Sequence, residues 1–486
     1  MSKEILNLEP KGIWKNFYEL TQIPRPSKKE EKIIAYLKKF GENLGLETIV
    51  DEIGNVIIKK PATPGMEDRK GIILQGHIDM VPQANSDSNH NFETDPIDAY
   101  IDGEWVTARG TTLGADNGMG VAATMAVLES NDLVHGPIEA LFTVDEETGM
   151  TGAFNLKPGL LDGDILMNLD SEDEGELYVG CAGGVDGNIK LKYNTTNAPQ
   201  NYTTLNLVVK GLKGGHSGVD INLGRGNSNK ILFRVIKEAT NKFDLKISNV
   251  FGGSLRNAIP RESFATVLIP NNKVDDFNKF LNEKQQIIGN EIKTVDPELK
   301  IEAEKTDSVD TILDNESQNN LTNLIYSIPN GVMRMSNDME GLVETSTNLA
   351  IITTENNIAN IACLLRSSVD SAKDDLKEMM HSVCKLAGAE IKFEGEYPGW
   401  KPNMDSPILA TMLEGYNKQF GIKPKIMAIH AGLECGLLGG VYPNWDMISF
   451  GPTIRYPHSP DEKVNIETVK KFWDFLVETL KNAPKK

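Results

Sequence analysis

Histidine and carboxylate residues follow four apolar runs of the sequence, at the point where each run gives way to polar residues. His77 follows GIILQG, Glu146 and Glu147 follow IEALFTVD, and Asp170 follows DILMNL. The fourth run, MISFGP, is followed after a short loop by His458. Imidazole and carboxylate groups bind divalent transition metals, and they also act as general bases. These residue types therefore indicate metal-assisted hydrolysis.

Two more acids belong to the same pattern. Asp116 lies in TLGADNG, just before a helical stretch, and Asp79 lies two residues after His77. The carboxyl ends of the strands in an open α/β sheet line one crevice, so we expect all these side chains at one rim. Desolvation and like-charge repulsion oppose a cluster of unpaired carboxylates. The sequence therefore predicts two divalent metal ions, with zinc favoured and cobalt or manganese as alternatives.

The predicted cluster divides into metal ligands, a bridging carboxylate and a free base. Of the adjacent Glu146 and Glu147, one can bind metal while the other holds a water molecule. The carboxylate of Asp79 can orient the imidazole of His77 as an outer partner. The residues themselves leave open which glutamate takes which role.

The elements that must position these residues read as an α/β domain. Apolar runs such as VIIKK, GIILQGH and IEALFTVDEE are strand-like, and the helical stretch GVAATMAVLES lies between two of them. Strands that alternate with helices predict a mixed, mainly parallel sheet with helices on both faces.

The amino-acid composition of the chain changes twice along the sequence. Asparagine, threonine and lysine become more frequent after about residue 186, and the apolar α/β texture returns near residue 398. We therefore expect a catalytic domain formed by residues 1–186 and 398–486, interrupted by a large α+β lid domain at 187–397. The size of this insert favours two α+β halves, although their likeness lies in texture rather than in letters.

Composition excludes several classes of function. The 486 residues carry a net charge of −19, and no basic tract reverses it locally, which argues against binding to nucleic acid or to anionic membranes. No stretch approaches the roughly 20 apolar residues that span a bilayer, and the N-terminus lacks an apolar signal core. We expect a cytoplasmic protein.

Six sequence features occur in an order that resembles a known family: GHIDMV, TLGADNG, DEETG, NLDSED, GGHSG and the late His458. These motifs resemble those of the di-zinc aminoacylase and carboxypeptidase G superfamily of metallopeptidases. Within that superfamily, their sequences are most similar to those of the bacterial aminoacyl-histidine dipeptidases, relatives of carnosinase. The resemblance runs from the first helix to the C-terminus. It implies hydrolysis of short peptides, chiefly Xaa-His dipeptides with a broader specificity.

The resemblance also implies a role for each metal-site residue. It implies the following metal ligands: His77 and Asp170 on one metal, Glu147 and His458 on the other, and Asp116 bridging both. It makes Asp79 the partner of His77, and it implies a cis peptide bond between Asp116 and Asn117.

The same resemblance implies roles in catalysis and in substrate binding. It makes Glu146 the general base and His216 of GGHSG the residue that stabilises the oxyanion. It makes Arg366 the clamp on the substrate carboxylate, with Asn257 as a weaker candidate. His430 in HAGLEC matches a segment that lines the site.

Two classes of function compete. One is an active amide hydrolase, either a dipeptidase or a small-molecule N-acyl amino acid deacylase, and the other is a non-catalytic binding protein on the same scaffold. The proposed metal and base positions all hold competent residue types, which favours the enzyme. The sequence contains no HExxH, GxSxG or P-loop Lys-Ser/Thr pattern, which argues against three other chemistries.

The insert raises the question of how His216 reaches a site. In many relatives a smaller insert dimerises and supplies this histidine to the partner subunit. The large insert here favours supply within one chain, whether the protein is a monomer or a homodimer.

Overall fold

The structure is a computed structural model that describes residues 3–486, and it divides into two compact units. The first unit contains residues up to Gly180 together with Trp400–Ala428 and Leu433–Lys486. The second unit contains Cys181–Gly399 and Ile429–Gly432. The domain ranges expected from the sequence remain predictions. The two α+β halves expected within the insert remain a prediction as well.

The helices alternate with strands along most of the chain. They are α1 (Lys11–Thr21), α2 (Glu31–Asn43), α3 (Ala115–Glu129), α4 (Glu146–Gly149), α5 (Thr151–Asn155), α6 (Ser228–Phe243), α7 (Val274–Ile292), α8 (Asn315–Ser327), α9 (Asp370–Leu386), α10 (Pro407–Phe420), α11 (Glu434–Val441) and α12 (Ile466–Lys481). Short 3₁₀ helices span Glu4–Asn7, Ile221–Leu223 and Asn271–Lys273.

The strands differ in length, and the longest of them belong to the second unit. They are β1 (Glu47–Val50), β2 (Val56–Lys60), β3 (Ile72–His77), β4 (Ala99–Asp102), β5 (Trp105–Ala108), β6 (Ile138–Thr143), β7 (Ile165–Asn168), β8 (Glu176–Cys181), β9 (Gly183–Lys192), β10 (Thr195–Asn197), β11 (Tyr202–Lys210), β12 (Gly215–His216), β13 (Lys246–Gly252), β14 (Ala258–Ile259), β15 (Ser263–Pro270), β16 (Lys300–Lys305), β17 (Thr311–Leu313), β18 (Gly331–Met335), β19 (Val343–Glu355), β20 (Ile358–Ser367), β21 (Glu390–Tyr397), β22 (Lys425–Ile429), β23 (Asp446–Ser449), β24 (Ile454–Arg455) and β25 (Lys463–Asn465).

An eight-stranded mixed sheet forms the framework of the first unit. Its order is β1-β2-β6-β3-β7-β23-β8-β22. The central strands β6, β3, β7 and β23 are parallel to one another, whereas β1 and β2 join antiparallel at one side. All residues of β3, β6 and β7 are buried, as expected of parallel strands that are covered on both faces. The predicted fold class, an α/β protein with a mixed sheet, is confirmed.

A smaller four-stranded antiparallel sheet belongs to the same unit. Its order is β24-β25-β5-β4, so it joins the segment just before α3 to the segment just before α12. Helix α3 begins irregularly: Gly114 has a φ of 70°, and Asp116 and Asn117 depart from helical backbone angles. The peptide bond between Asp116 and Asn117 is cis, as the family resemblance implied.

The second unit is an antiparallel nine-stranded sheet with helices packed on it. The sheet order is β16-β11-β15-β13-β19-β20-β9-β21, and β18 pairs with β19. Helices α6 and α9 contribute apolar residues to one core with the sheet, among them Phe233 and Leu376. Among residues 3–486, none of the helices is both long and apolar enough to cross a membrane.

Candidate metal centre

Three adjacent parallel strands deliver the first metal-site residues to one edge of the sheet. Strand β3 pairs in parallel with both β6 and β7, and His77 is its last residue. Glu146 and Glu147 begin the short helix α4 just after β6, and Asp170 lies two residues after β7. The carboxyl ends of parallel strands meet at one edge, so their shared direction brings these residues together.

The carboxylate of Asp116 lies between two imidazole rings. Its Oδ1 is 3.2 Å from Nε2 of His77, and its Oδ2 is 3.3 Å from Nε2 of His458. On one side, Nε2 of His77 is also 3.4 Å from Oδ1 of Asp170. On the other side, Nε2 of His458 is 2.9 Å from Oε2 of Glu147. The five residues thus form two groups that share one carboxylate.

The donor set of each group fits a divalent transition metal. His77, Asp116 and Asp170 each offer a ligand atom within 4.8 Å of the others, and so do Asp116, Glu147 and His458. Oδ1 of Asp170 and Oε1 of Glu147 are buried without a hydrogen-bond partner among the described residues. Buried carboxylates beside imidazole nitrogens, with oxygens left without a hydrogen-bond partner, fit the ligand set of zinc-type ions.

The electrostatics of the cluster favour the binding of cations. Burial raises the pKa of Asp170 to about 8. Burial also raises the pKa of Glu146 well above its usual value, and the neighbouring Asp170 adds to that shift. Hydrogen bonds to Asp116 and Glu147 raise the pKa of His458 to about 11. Bound cations would offset the charge of these acids and favour their ionised forms.

The side chain of Asp79 links His77 to the two glutamates. Its Oδ1 lies 3.2 Å from Nδ1 of His77 and accepts a hydrogen bond from the backbone N–H of Glu146 at 3.0 Å. Its Oδ2 accepts from the N–H of Glu147 at 3.2 Å and from the hydroxyl of Ser27 at 2.7 Å. One buried carboxylate therefore orients both strand ends, which is the arrangement of an outer partner to a metal ligand.

A chain of buried polar side chains crosses the strand ends beneath this cluster. Oε2 of Glu434 accepts from Nε2 of Gln75 at 2.6 Å and from the hydroxyl of Thr143 at 2.9 Å. Oε1 of Gln75 accepts from Nδ2 of Asn168 at 2.6 Å, and Oδ1 of Asn168 accepts from Ser449 at 2.5 Å. Burial raises the pKa of Glu434 to about 7. The chain links α11 to strands β3, β6, β7 and β23.

The sequence analysis missed this chain, and it also missed Arg25. The Arg25 side chain is buried and donates from Nη1 to the carbonyl oxygens of Ile78 and Asp79, and from Nη2 to that of Gly114. It therefore joins the loop after His77 to the loop that carries Asp116. A single arginine in the segment IPRPS offers no motif, so only the buried charge in the folded chain identifies it.

The remaining predicted site residues lie in the second unit. Nδ1 of His216 accepts hydrogen bonds from the backbone N–H groups of Gly218 and Val219, both at 3.1 Å. Burial and the charge of Arg366 lower the pKa of His216. A neutral imidazole with an accepting Nδ1 carries its proton on Nε2, so His216 presents a hydrogen-bond donor.

Arg366 and His430 belong to one polar cluster of this unit. The Arg366 side chain is buried; Nη1 donates to the hydroxyl of Tyr397 at 3.3 Å, and Nε has no hydrogen-bond partner among the described residues. Nε2 of His430 is 2.7 Å from the hydroxyl of Ser346, whose strand position pairs with Arg366. Burial, aided by Arg366, lowers the pKa of His430 to about 3.

Asn257 is the exception among the predicted residues. Its side chain is exposed, and its backbone carbonyl accepts from the N–H of Ser217 at 2.8 Å, next to His216. The structure therefore places its backbone, rather than its side chain, in contact with the histidine segment. Ser346 and Tyr397, which the sequence analysis did not single out, are the partners that it shows for His430 and Arg366.

Known proteins resemble this chain over nearly its whole length. It is 46% identical over 483 residues to the cytosol non-specific dipeptidase of Escherichia coli K12, covering 99% of this chain and 100% of that protein. The structure of the aminoacylhistidine dipeptidase of Vibrio alginolyticus matches with a TM-score of 0.96 and 50% identity, covering 100% of this chain and 99% of that one.

A more distant structure shares only the fold. The aminopeptidase PepT of Bacillus cereus matches with a TM-score of 0.61 and 18% identity, covering 98% of this chain and 99% of that one. The model of the family described as Peptidase family M20/M25/M40 matches residues 73–482. The resemblance inferred from the sequence features, and with it the class of metallopeptidase, is confirmed. The chain belongs to peptidase family M20/M25/M40.

Proposed function

We propose that the protein is a cytoplasmic metal-dependent dipeptidase that hydrolyses the peptide bond of short peptides, Xaa-His dipeptides among them, with a broader specificity. The observation that carries this proposal is the carboxylate of Asp116 between two imidazole-carboxylate pairs, with Glu146 next to one of them. The Escherichia coli relative, named a cytosolic dipeptidase, and the Vibrio relative, named an aminoacylhistidine dipeptidase, support the substrate class and the location.

Five residues would hold two divalent metal ions: His77, Asp116, Glu147, Asp170 and His458. We propose zinc, with cobalt or manganese as alternatives, because the ligands mix imidazole and carboxylate groups. When bound, the ions supply Lewis acidity and lower the pKa of water toward ~7. They also balance the buried acids, which otherwise repel one another.

Glu146 is the proposed general base. Its backbone N–H donates to Asp79. Its carboxylate, the imidazole of His77 and the carboxylate of Glu147 offer ligand atoms within 4.8 Å of one another, and Glu146 is in neither group that shares Asp116. In the proposed reaction Glu146 removes a proton from the attacking water and then delivers it to the leaving amine. The amine leaves neutral with this proton, and the new carboxylic acid keeps the other proton of the water until it ionises in solvent, so the proton count balances.

His216 and Arg366 are the proposed substrate contacts from the second unit. The Nε2–H of a neutral His216 can donate to the oxygen that becomes negative in the transition state. The guanidinium of Arg366, whose Nε has no hydrogen-bond partner, can bind the free carboxylate of a dipeptide in two-point fashion. His430 and Asn257 would line the same substrate position, with His430 neutral because its pKa is low.

A substrate panel tests this proposal and its runner-up. Purified protein is given Xaa-His and Xaa-Leu dipeptides, tripeptides and N-acyl amino acids, with and without added Zn²⁺. We expect metal-dependent turnover that is fastest with dipeptides. Preferred turnover of N-acyl amino acids would instead support a deacylase, and metal binding without turnover of any substrate would support a binding protein.

A further inference from the structure

The buried carboxylate of Glu462, which lies outside the proposed ligand set, binds the backbone of the loop that carries Asp116. The side chain of Glu462 is 2% exposed and accepts hydrogen bonds from four consecutive backbone N–H groups. Oε2 accepts from Leu113 at 2.8 Å and from Gly114 at 2.9 Å, and Oε1 accepts from Ala115 at 2.7 Å and from Asp116 at 3.1 Å.

These four donors have no substitute acceptor within their own segment. Ala115 and Asp116 are the first residues of α3, where intrahelical bonding leaves the N–H groups free, and Leu113 and Gly114 directly precede the helix. Gly114, at the N-cap, offers no side chain to cap them. A carboxylate at this end of a helix is also favoured by the helix dipole. Glu462 therefore does for this loop what a capping side chain does for an ordinary helix.

Glu462 is itself held firmly. Its backbone N–H donates to the carbonyl of Ser459 at 2.9 Å, and its carbonyl accepts from the hydroxyl of Thr107 at 2.8 Å. The next residue, Lys463, begins β25, which pairs with β5. The carboxylate of Glu462 is thus carried by a residue that directly precedes a strand of the four-stranded sheet, rather than by a free surface turn.

We infer that Glu462 is a positioning residue for the proposed metal pair, acting through the backbone of Asp116. It lies four residues after His458, so one short segment supplies a ligand and also holds the shared carboxylate opposite that ligand. The inference rests on the proposed function, since it assigns the held carboxylate to two metals. Glu462 is not itself a proposed metal ligand, and its effect is on the position of Asp116.

Asp116 is the residue at which a small displacement matters most. Its two carboxylate oxygens are 3.2 and 3.3 Å from the Nε2 atoms of the two imidazoles, so a backbone shift displaces both contacts at once. A change at Glu462 is therefore expected to weaken both metal positions together. Outer partners of metal ligands typically change metal affinity by about 10–100-fold.

The test replaces Glu462 by glutamine, which keeps the size of the side chain but removes one acceptor oxygen. The matched control is Glu139→Gln. Glu139 is also buried and accepts from two backbone N–H groups, those of Asp162 at 2.9 Å and Gly163 at 2.8 Å, but it lies at the amino end of β6, away from the ligands.

Zn²⁺ affinity is measured by competition with a chelator, and melting temperature is measured with and without Zn²⁺. We expect Glu462→Gln to bind Zn²⁺ about 10–100-fold more weakly, and to recover kcat when Zn²⁺ is raised to saturation. Glu139→Gln is expected to melt at a lower temperature yet bind Zn²⁺ like the wild type.

Three results would count against the inference. Wild-type Zn²⁺ affinity in Glu462→Gln would overturn it, and so would an equal loss of affinity in Glu139→Gln, since that would mark a general effect of stability. Wild-type protein that binds no divalent metal would contradict the proposed function first and the inference with it. If Glu462→Gln does not fold, Glu462→Asp, which keeps the charge on a shorter side chain, replaces it, with a smaller loss of affinity expected.

Discussion

At the scale of single residues, the adjacent Glu146 and Glu147 have different surroundings. Oε2 of Glu147 is 2.9 Å from Nε2 of His458, within the group that shares Asp116. Glu146 stands outside the two groups that share Asp116, and burial raises its pKa. The two carboxylates therefore suit two tasks, a ligand and a base.

The first prediction concerns the base. Glu146→Gln keeps the shape of the side chain but cannot accept a proton, so we expect kcat to fall by about 10²–10⁴-fold while the protein keeps both metals. Steady-state kinetics and metal analysis of the same sample measure the two quantities. The comparison variant is Glu147→Gln, which is expected to lose metal. Metal loss from Glu146→Gln instead would show that the roles are reversed.

The second prediction concerns the substrate carboxylate. Arg366→Ala should raise KM for dipeptides by about 10–100-fold, because a charge-assisted hydrogen bond contributes ~1.5–3 kcal/mol. Dipeptides with amidated C-termini should lose much less, since they carry no carboxylate. The control is Arg256→Ala, an arginine of the same unit that pairs with Asp186. Equal losses on free and amidated substrates would remove Arg366 from the proposed role.

At the scale of elements, the ends of the strands could be predicted from the sequence, but the hydrogen bonds between side chains near those ends could not. An apolar run followed by His77 or Asp170 marks a strand end within the chain itself, because both features are local in sequence. Gln75 and Asn168 are single polar letters inside such runs, and their partners Glu434 and Ser449 come from segments more than 250 residues later. Only the order of strands in the sheet brings them together.

The third prediction concerns this buried chain. Gln75→Leu should lower the free energy of unfolding by about 1–3 kcal/mol, because Glu434 and Asn168 each lose a partner inside the core. It should also weaken Zn²⁺ binding, since Gln75 lies two residues before His77. Denaturant unfolding and chelator competition measure the two effects.

The control for that prediction is Asn16→Leu. Asn16 is equally buried and donates to Oε1 of Glu129 at 3.1 Å, at the C-terminal end of α3 rather than beside the ligands. We expect it to lower stability and leave Zn²⁺ affinity unchanged. If both variants weaken Zn²⁺ binding to the same degree, the chain does not position the ligand strand.

At the scale of the whole molecule, the order of the sequence motifs predicts the protein family, which composition alone does not. The net charge of −19 argued against binding to nucleic acid and to anionic membranes, but it named no function. Ordered sequence features implied the family, and the comparisons confirm it. Arg25 and Glu462 escaped prediction because each acts through backbone groups that are distant in sequence, so no local pattern marks them.

The fourth prediction concerns which chain supplies His216. We expect each chain to use its own histidine, because the second unit is large. His216→Ala and Glu146→Gln proteins are mixed under conditions that allow subunit exchange, which labelled subunits verify. No recovery of activity is expected. Activity well above that of either parent would instead show that His216 serves the partner's site.

The most direct measurement of the central claim, that the protein hydrolyses dipeptides with two divalent metals, is a metal titration. Metal is removed with a chelator, and Zn²⁺ is returned in steps while bound metal and hydrolysis of an Xaa-His dipeptide are measured in the same samples. We predict no turnover by the metal-free protein and full turnover as the second equivalent binds, with Asp116→Ala losing metal and activity together. Full turnover by protein without bound metal would contradict the claim.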